Sequence, residues 1–167
     1  VLRLNMPVVF GRRHIVPILG EFLERYPNVS LDLSMSDQFV DPIAEGCDML
    51  IRVGELKDSS LIARKLAEAR RVVVATPGYW EKFGCPDKPE DLRSHNCLSY
   101  SYLSSGNTWR MTDTAGKEHV VQATGNLASN NGEALLEAAI EGLGVVNLPT
   151  WMVGPDLKVG RLVEVLA

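Results

Sequence analysis

The side chains with most to offer chemically gather at three places where a strand gives way to a helix. These are Val9-Phe10-Gly11-Arg12, Ser34-Met35-Ser36-Asp37 and Ala128-Ser129-Asn130-Asn131-Gly132. In open α/β sheets, ligands bind beyond the carboxyl ends of strands, where helix N-termini point free N–H groups outward. Gly11 and Gly132 let a ligand approach the backbone closely, because no Cβ stands in the way. Helix capping is the competing account of Asp37 and Asn130. Arg12 and Arg13 set two cations at a helix start, against the macrodipole. An anionic partner or a nearby carboxylate should offset them, or else the pair is solvated at an interface. Further along, Tyr100, Tyr102 and Trp109 surround Ser104-Ser105-Gly106. Aromatics beside a flexible Gly/Ser loop suit one wall of an apolar cleft. Core packing is the equal alternative for Trp109, and Tyr79 and Trp80 read as structural.

Reaction chemistry finds little to use. The sequence holds no Gly-x-Ser-x-Gly elbow, no phosphate loop ending in Gly-Lys-Ser/Thr and no His-Glu-x-x-His. His14, His95 and His119 are far apart among charged or polar neighbours, which fits surface or capping roles better than metal ligation. Cys47, Cys85 and Cys97 are spaced by 38 and 12 residues, matching neither zinc ligands nor a disulfide framework. They read as reduced, partly buried thiols of a cytoplasmic protein, with a Cys85–Cys97 sensor pair as the alternative. The residues therefore ask for binding rather than catalysis, with no metal and no cofactor expected.

The elements that must position these groups follow from periodicity. Leu2, Leu4 and Met6 alternate with Arg3 and Asn5, a strand ending at Pro7. Phe10 to Arg13 leads into Ile15, Val16, Ile18, Leu19, Phe22, Leu23 and Tyr26, whose offsets of three and four make one helical stripe. Pro17 belongs near the first turn or kinks that helix. Val29, Leu31, Leu33 and Met35 alternate as a second strand. A short helix is expected from Phe39 to Glu45, capped by Ser36 or Asp37 and stopped by Gly46. Met49 to Val53 reads as a third strand, and this order implies a parallel α/β unit with right-handed crossovers.

The remainder has a mixed texture. Arg71 to Thr76 reads as a buried strand, Pro77 to Phe83 as a short helix and Pro89 to Leu92 as a helical turn with proline at its permitted first position. Cys97 to Tyr102 reads as a strand. Trp109 to Thr112 and Glu118 to Ala123 flank the turn Asp113-Thr114-Ala115-Gly116 as a hairpin. Asn126 to Ala128 is a brief strand. Asn130 then stands three residues before Glu133, a capping-box spacing, ahead of the stripe Leu135, Leu136, Ala138, Ala139, Ile140 and Leu143. Val145 to Leu148 forms a strand closed by Pro149, and Gly160 to Leu166 a last one. The chain thus divides into a parallel lobe over 1–72 and a mixed lobe over 73–162, with 163–167 beginning a return to the first.

Composition agrees with a globular domain: 167 residues, 46% hydrophobic and 23% charged, with a formal charge of −4. An acidic body without a basic run is a poor candidate for gripping nucleic acid by itself. The longest uncharged runs contain Gly, Asn, Pro and Thr and fall short of a membrane span. Val1 to Met6 reads as a strand rather than a secretory leader.

Five motifs in register now carry a resemblance. They are Val9-Phe10-Gly11-Arg12-Arg13-His14-Ile15-Val16-Pro17; Leu50-Ile51-Arg52-Val53-Gly54-Glu55-Leu56-Lys57-Asp58-Ser59-Ser60-Leu61; Asn130-Asn131-Gly132-Glu133-Ala134-Leu135; Gly142-Leu143-Gly144-Val145 before Pro149; and Gly160-Arg161-Leu162-Val163. Together they resemble the effector-binding domain of bacterial LysR-type transcriptional regulators, over essentially the whole chain. The resemblance implies an α/β, two-lobed fold like that of type 2 periplasmic binding proteins, with the lobes joined at a hinge around an interlobe cleft. It implies a small-molecule effector in that cleft, an organic anion being suggested by Arg12, Arg13 and Arg52. It implies dimers of this domain, tetramers of the whole protein, and DNA binding only through an N-terminal winged helix-turn-helix outside this chain, with no membrane partner.

Carried onto this sequence, the effector positions are Val9, Phe10 and Gly11; Ser36 and Asp37; Val53 and Gly54; Tyr100 and Tyr102; and Asn130 and Asn131. Trp109 joins them from the aromatic argument alone. The family usually returns to its first lobe with another strand and helix beyond Leu162 to Leu166, which this chain does not show. A solute-binding protein of a transport system, which shares the fold, is the rival reading.

Overall fold

The computed structural model describes residues 1–38, 45–54, 61–102, 106–113 and 115–166. Two compact units divide the chain, Val1–Arg64 and Lys65–Ala167. The division falls before the expected 72/73 boundary because the strand over Arg71–Ala75 belongs whole to the second unit.

In the first unit, β1 (Leu2–Met6) lies between β2 (Leu31–Met35) and β3 (Met49–Leu50) in a parallel sheet. Leu2, Leu4 and Met6 stand opposite Leu31, Leu33 and Met35, so the two alternations bring their apolar side chains to one face. The third strand is shorter than expected, although Ile51 still donates its N–H to the Asn5 carbonyl at 2.9 Å. Helical structure begins directly after Pro7, so Val9 to Arg13 lie inside it rather than leading into it. The run comprises α1 (Val8–Phe10), a π turn over Gly11–Ile15, a 3-10 turn over Val16–Ile18 and α2 (Leu19–Arg25). Pro17 has no N–H to donate and its ring crowds the carbonyl four residues back. The ladder widens before it, with Val16 N–H reaching the Gly11 carbonyl, and tightens after it, so the helix passes through the proline. The helix expected over Phe39 to Glu45 lies largely outside the described residues; its expected stop, Gly46, has φ 62°.

The second unit is organised by β4 (Arg71–Ala75), flanked antiparallel by β10 (Val163–Val165) and β9 (Val146–Pro149). Val163 to Val165, expected to begin a return to the first lobe, is therefore an edge strand here. After β4, α3 (Pro77–Phe83) opens with Thr76, whose Oγ1 accepts from Tyr79 N–H at 3.2 Å. A 3-10 turn spans Pro89–Ser94. Next come β5 (Ser99–Tyr100), the β6 (Thr108–Thr112) and β7 (Glu118–Gln122) hairpin, and β8 (Ala128–Ser129), which runs parallel to β5. The chain closes through α4 (Gly132–Ile140), β9, α5 (Thr150–Lys158) and β10. The sequence reading assigns no element to 150–158. The helix forms nonetheless: Met152 and Val153 bury its inner face. Within the helix, buried Asp156 pairs with Arg161 beyond its end at 2.6 Å. The core of this unit gathers Val73, Ala75, Tyr79, Trp80, Leu92, Cys97, Trp109, Val121, Ala123 and Val145.

Candidate functional site

At the carboxyl ends of the three parallel strands the first unit assembles a polar network. Asn5, only 4% exposed, donates from Nδ2 to Ser34 Oγ at 2.7 Å. Its Oδ1 accepts from Arg52 Nη2 at 2.8 Å, and Arg52 Nη1 donates to the Ile51 carbonyl at 2.9 Å. Ser36 extends the sheet through its N–H to the Met6 carbonyl at 2.9 Å, while its Oγ accepts from Gln38 N–H. Asp37 Oδ1 accepts from Val8 N–H at 3.2 Å. The carboxylate thus caps the helix that follows β1, 29 residues back, where an anion is favoured by the helix dipole. Val53 and Gly54 are exposed at the end of this edge, Gly54 with φ 133°.

Three expectations in this unit need correction. Gly11 is buried, and a Cβ there would fall 2.6 Å from Met6 Cγ and Sδ. The space its missing side chain leaves is filled by the protein's own methionine rather than kept for a ligand. Val9 is buried at 4% exposure, so only its backbone remains to offer. Arg12 and Arg13 sit in the π turn, past the first turn of the helical run, so the dipole conflict at a helix start does not arise. Phe10 is half-buried with its ring 5.0 Å from that of His14.

In the second unit, β5 and β8 bring Tyr100 beside Ser129, and the rings of Tyr100 and Tyr102 meet edge-on at 6.2 Å. Asn130 Nδ2 donates to Tyr102 Oη at 3.1 Å. The helix cap is Asn131, not Asn130: its Oδ1 accepts from Glu133 and Ala134 N–H at 2.8 and 3.1 Å. Asn131→Ala should therefore cost about 1 kcal/mol of stability. Urea unfolding would read this as a lower midpoint with an unchanged slope. Gly132 leaves room for Met152 of α5, whose Cε would stand 2.9 Å from an added Cβ. Trp109 is 3% exposed within the core cluster, which settles its two readings in favour of packing and removes it from the wall of a cleft.

The expected surface or capping role fails for His95, while His119 is partly exposed and ion-paired. His95 is buried at 8% exposure against Tyr79 and Trp80, and burial lowers its pKa. His119 stands between two carboxylates, Nε2 on Asp113 Oδ2 at 2.9 Å and Nδ1 on Glu90 Oε1 at 3.3 Å. The bond to Asp113, then that to Glu90, raises the His119 pKa, while both carboxyls titrate below their ordinary values. A raised histidine contributes fully below its unfolded pKa of about 6.5 and loses that contribution as pH rises through its folded value. The lowered carboxyls contribute above about pH 4.5 and lose theirs as pH falls. His119→Gln should therefore depress the melting temperature most between about pH 4.5 and 6.5, with the difference from wild type shrinking towards pH 9. A difference that grows with pH in paired melts would refute the assignment. Cys97 is fully buried, its Sγ donates to the Leu92 carbonyl at 3.3 Å, and burial pushes its pKa up to about 12. Cys97 is thus a protonated thiol shielded from solvent, whereas Cys85 is exposed, and both are free cysteines.

Asn5 escaped the sequence reading of the site, and Ser34 stood in one of its junctions without being carried as an effector position. The available signal was Asn5 itself: strands of a buried parallel sheet run apolar on both faces, so a polar residue one position before its last is out of place.

A parallel-sheet unit with its polar edge at the strand carboxyl ends, followed by a mixed unit with a capped helix beside an aromatic pair, defines an α/β protein of two units. The model of the LysR substrate binding domain family matches residues 1–167, and the chain belongs to that family. It is 35% identical over 162 residues to the HTH-type transcriptional regulator CrgA of Neisseria meningitidis, covering 97% of this chain and 53% of that protein. To PtxR of Pseudomonas aeruginosa, another HTH-type transcriptional regulator, it is 33% identical over 165 residues, covering 99% and 53%. The full-length structure of the Vibrio cholerae virulence activator AphB superposes with TM-score 0.85 at 32% identity, covering 99% of this chain and 56% of that one. The CrgA regulatory domain superposes with TM-score 0.82 at 32% identity, covering 99% and 80%. The chain thus spans about half the length of the curated relatives it matches. Among the described residues no helix is long and apolar enough to cross a membrane.

Proposed function

We propose that this chain is the sensing half of a cytoplasmic, bacterial LysR-type transcriptional regulator, and that it binds a small-molecule effector. The effector acts by differential affinity for one conformation of the chain, shifting a population rather than undergoing reaction. In the whole protein that bias passes to an N-terminal winged helix-turn-helix, within dimers of this domain and tetramers of the full chain. The observation that carries the reading is the family match along all 167 residues, to relatives described as transcriptional regulators rather than enzymes or transport proteins. Ser36, Asp37, Val53 and Gly54 offer the first unit's contacts, and Tyr100, Tyr102, Asn130 and Asn131 the second's.

Thermal melts against aromatic and dicarboxylic acids test it, with each compound assayed afterwards for conversion. A ligand present at a hundred times its Kd should stabilise the chain by about 2.7 kcal/mol and be recovered intact. Asn130→Ala, which removes the Tyr102 bond but leaves the α4 cap, should reduce that stabilisation without lowering the melt of the free chain. Appearance of product would replace the sensor with an enzyme.

A further inference from the structure

We infer that Arg52 is the anchor for a carboxylate group of the effector, a reading that rests on the effector-binding function proposed above. The guanidinium has five N–H donors and no acceptor. Among the described residues they meet only neutral oxygens: the Ile51 carbonyl, Asn5 Oδ1 and, at 3.5 Å, the Gln38 carbonyl. The Nε atom is buried and has no hydrogen-bond partner. Arg70, Arg110 and Arg161 each pair with a glutamate or aspartate, whereas Arg52 has no carboxylate within ion-pair distance among the described residues.

A half-buried cation that, among the described residues, is hydrogen-bonded to neutral groups and makes no direct ion pair loses hydration without a contacting counter-charge. Burial accordingly draws its pKa below the ordinary arginine value. The head group is nevertheless held in place. Asn5, itself fixed by Ser34, grips Nη2 from the neighbouring strand, at the strand carboxyl ends where ligands of such sheets collect. A planar fork aimed this way suits the two oxygens of a carboxylate. Cys47 and, less strongly, Asp37 are near enough to act electrostatically on the same guanidinium, and the negative charge of Asp37 opposes a phosphate dianion more than a monoanion.

The test follows the Arg52 Nε–Hε resonance of the 15N-labelled chain during titration with sodium benzoate and sodium acetate. Benzamide, sodium phosphate and sodium chloride at matched ionic strength are the controls. The expected result is a saturable shift of that resonance with both carboxylates and not with the controls. Arg52→Gln should weaken benzoate about tenfold or more, and Arg52→Lys, which keeps the charge, should weaken it less. An Arg52 resonance that stays still, or moves equally with chloride, overturns the anchor, and because it is read in the wild-type chain it does not depend on either variant folding. Saturable shifts of the Asn130 and Asn131 amides by benzamide with Arg52 silent would overturn the carboxylate anchor while leaving the sensor reading in place.

Discussion

Gly144→Ala should destabilise the second unit by about 3 kcal/mol, the upper end of what overpacking costs. For a unit of this size that lowers the melting temperature by roughly 15 °C. A Cβ at Gly144 would fall 2.2 Å from the Asn96 carbonyl oxygen and 2.9 Å from Leu98 Cδ2; one at Gly125 would fall 2.2 Å from the Cys97 carbonyl oxygen. The segment over Asn96 to Leu98 is squeezed between these two glycines and has little freedom to retreat. Cys97 N–H is held by the Thr124 carbonyl at 2.9 Å, and Leu98 N–H by the Val145 carbonyl at 2.8 Å. The Asn96 side chain bridges Asn126 and the Leu143 carbonyl. A methyl group on either side must displace a hydrogen-bonded backbone carbonyl rather than the end of a flexible side chain. Gly154→Ala is the internal control, since nothing lies within 4 Å of its added Cβ and it sits in α5. It should be neutral or stabilising by up to about 1 kcal/mol. Circular-dichroism melts of the two variants decide the matter: equal midpoints for Gly144→Ala and Gly154→Ala would show that the clamp does not exist.

Trp109→Ala should cost about 3–5 kcal/mol, the usual range for removing a buried tryptophan from a packed core. The indole lies with Trp80, Leu92, Val121 and Ala123, on the strand of the hairpin whose partner residue is Val121. A cavity at this point loosens the hairpin from the sheet around β4, and the variant should unfold at correspondingly lower urea with an unchanged slope. Trp109→Phe, which keeps most of the volume, should lose less stability and leave effector affinity as it was. A Trp109→Phe variant that kept its stability but lost effector binding would return this residue to the binding wall.

Much of the architecture was legible in the chain because its signals are local. The alternations of β1 and β2, the Thr76-Pro77 entry to α3, the Asp113 turn between β6 and β7 and the apolar stripe of α4 depend on residues within a few positions of one another. Local reasoning failed where a distant neighbour cast the deciding vote. The helix over Thr150–Lys158 runs through Gly154-Pro155 while burying Met152 and Val153 against the rest of its unit. The π turn ahead of Pro17 lets one helix continue where the proline alone forecasts a start or a kink.

The candidate site divides along the same line. By itself the sequence determined which residues stand at strand ends and helix starts, because periodicity and capping chemistry are written in residue order. Only the tertiary structure decided what each one does there. Asp37 caps a helix that precedes it in the chain because parallel pairing of β1 with β2 sets the two strand ends side by side. Asn131 takes the cap and leaves Asn130 to Tyr102 because β5 and β8 pair next to them. Arg52 acquires Asn5 as a partner across 47 residues because β3 joins β1. A hydrogen bond needs its two atoms about 3 Å apart, and for groups so distant in sequence only the sheet supplies that nearness.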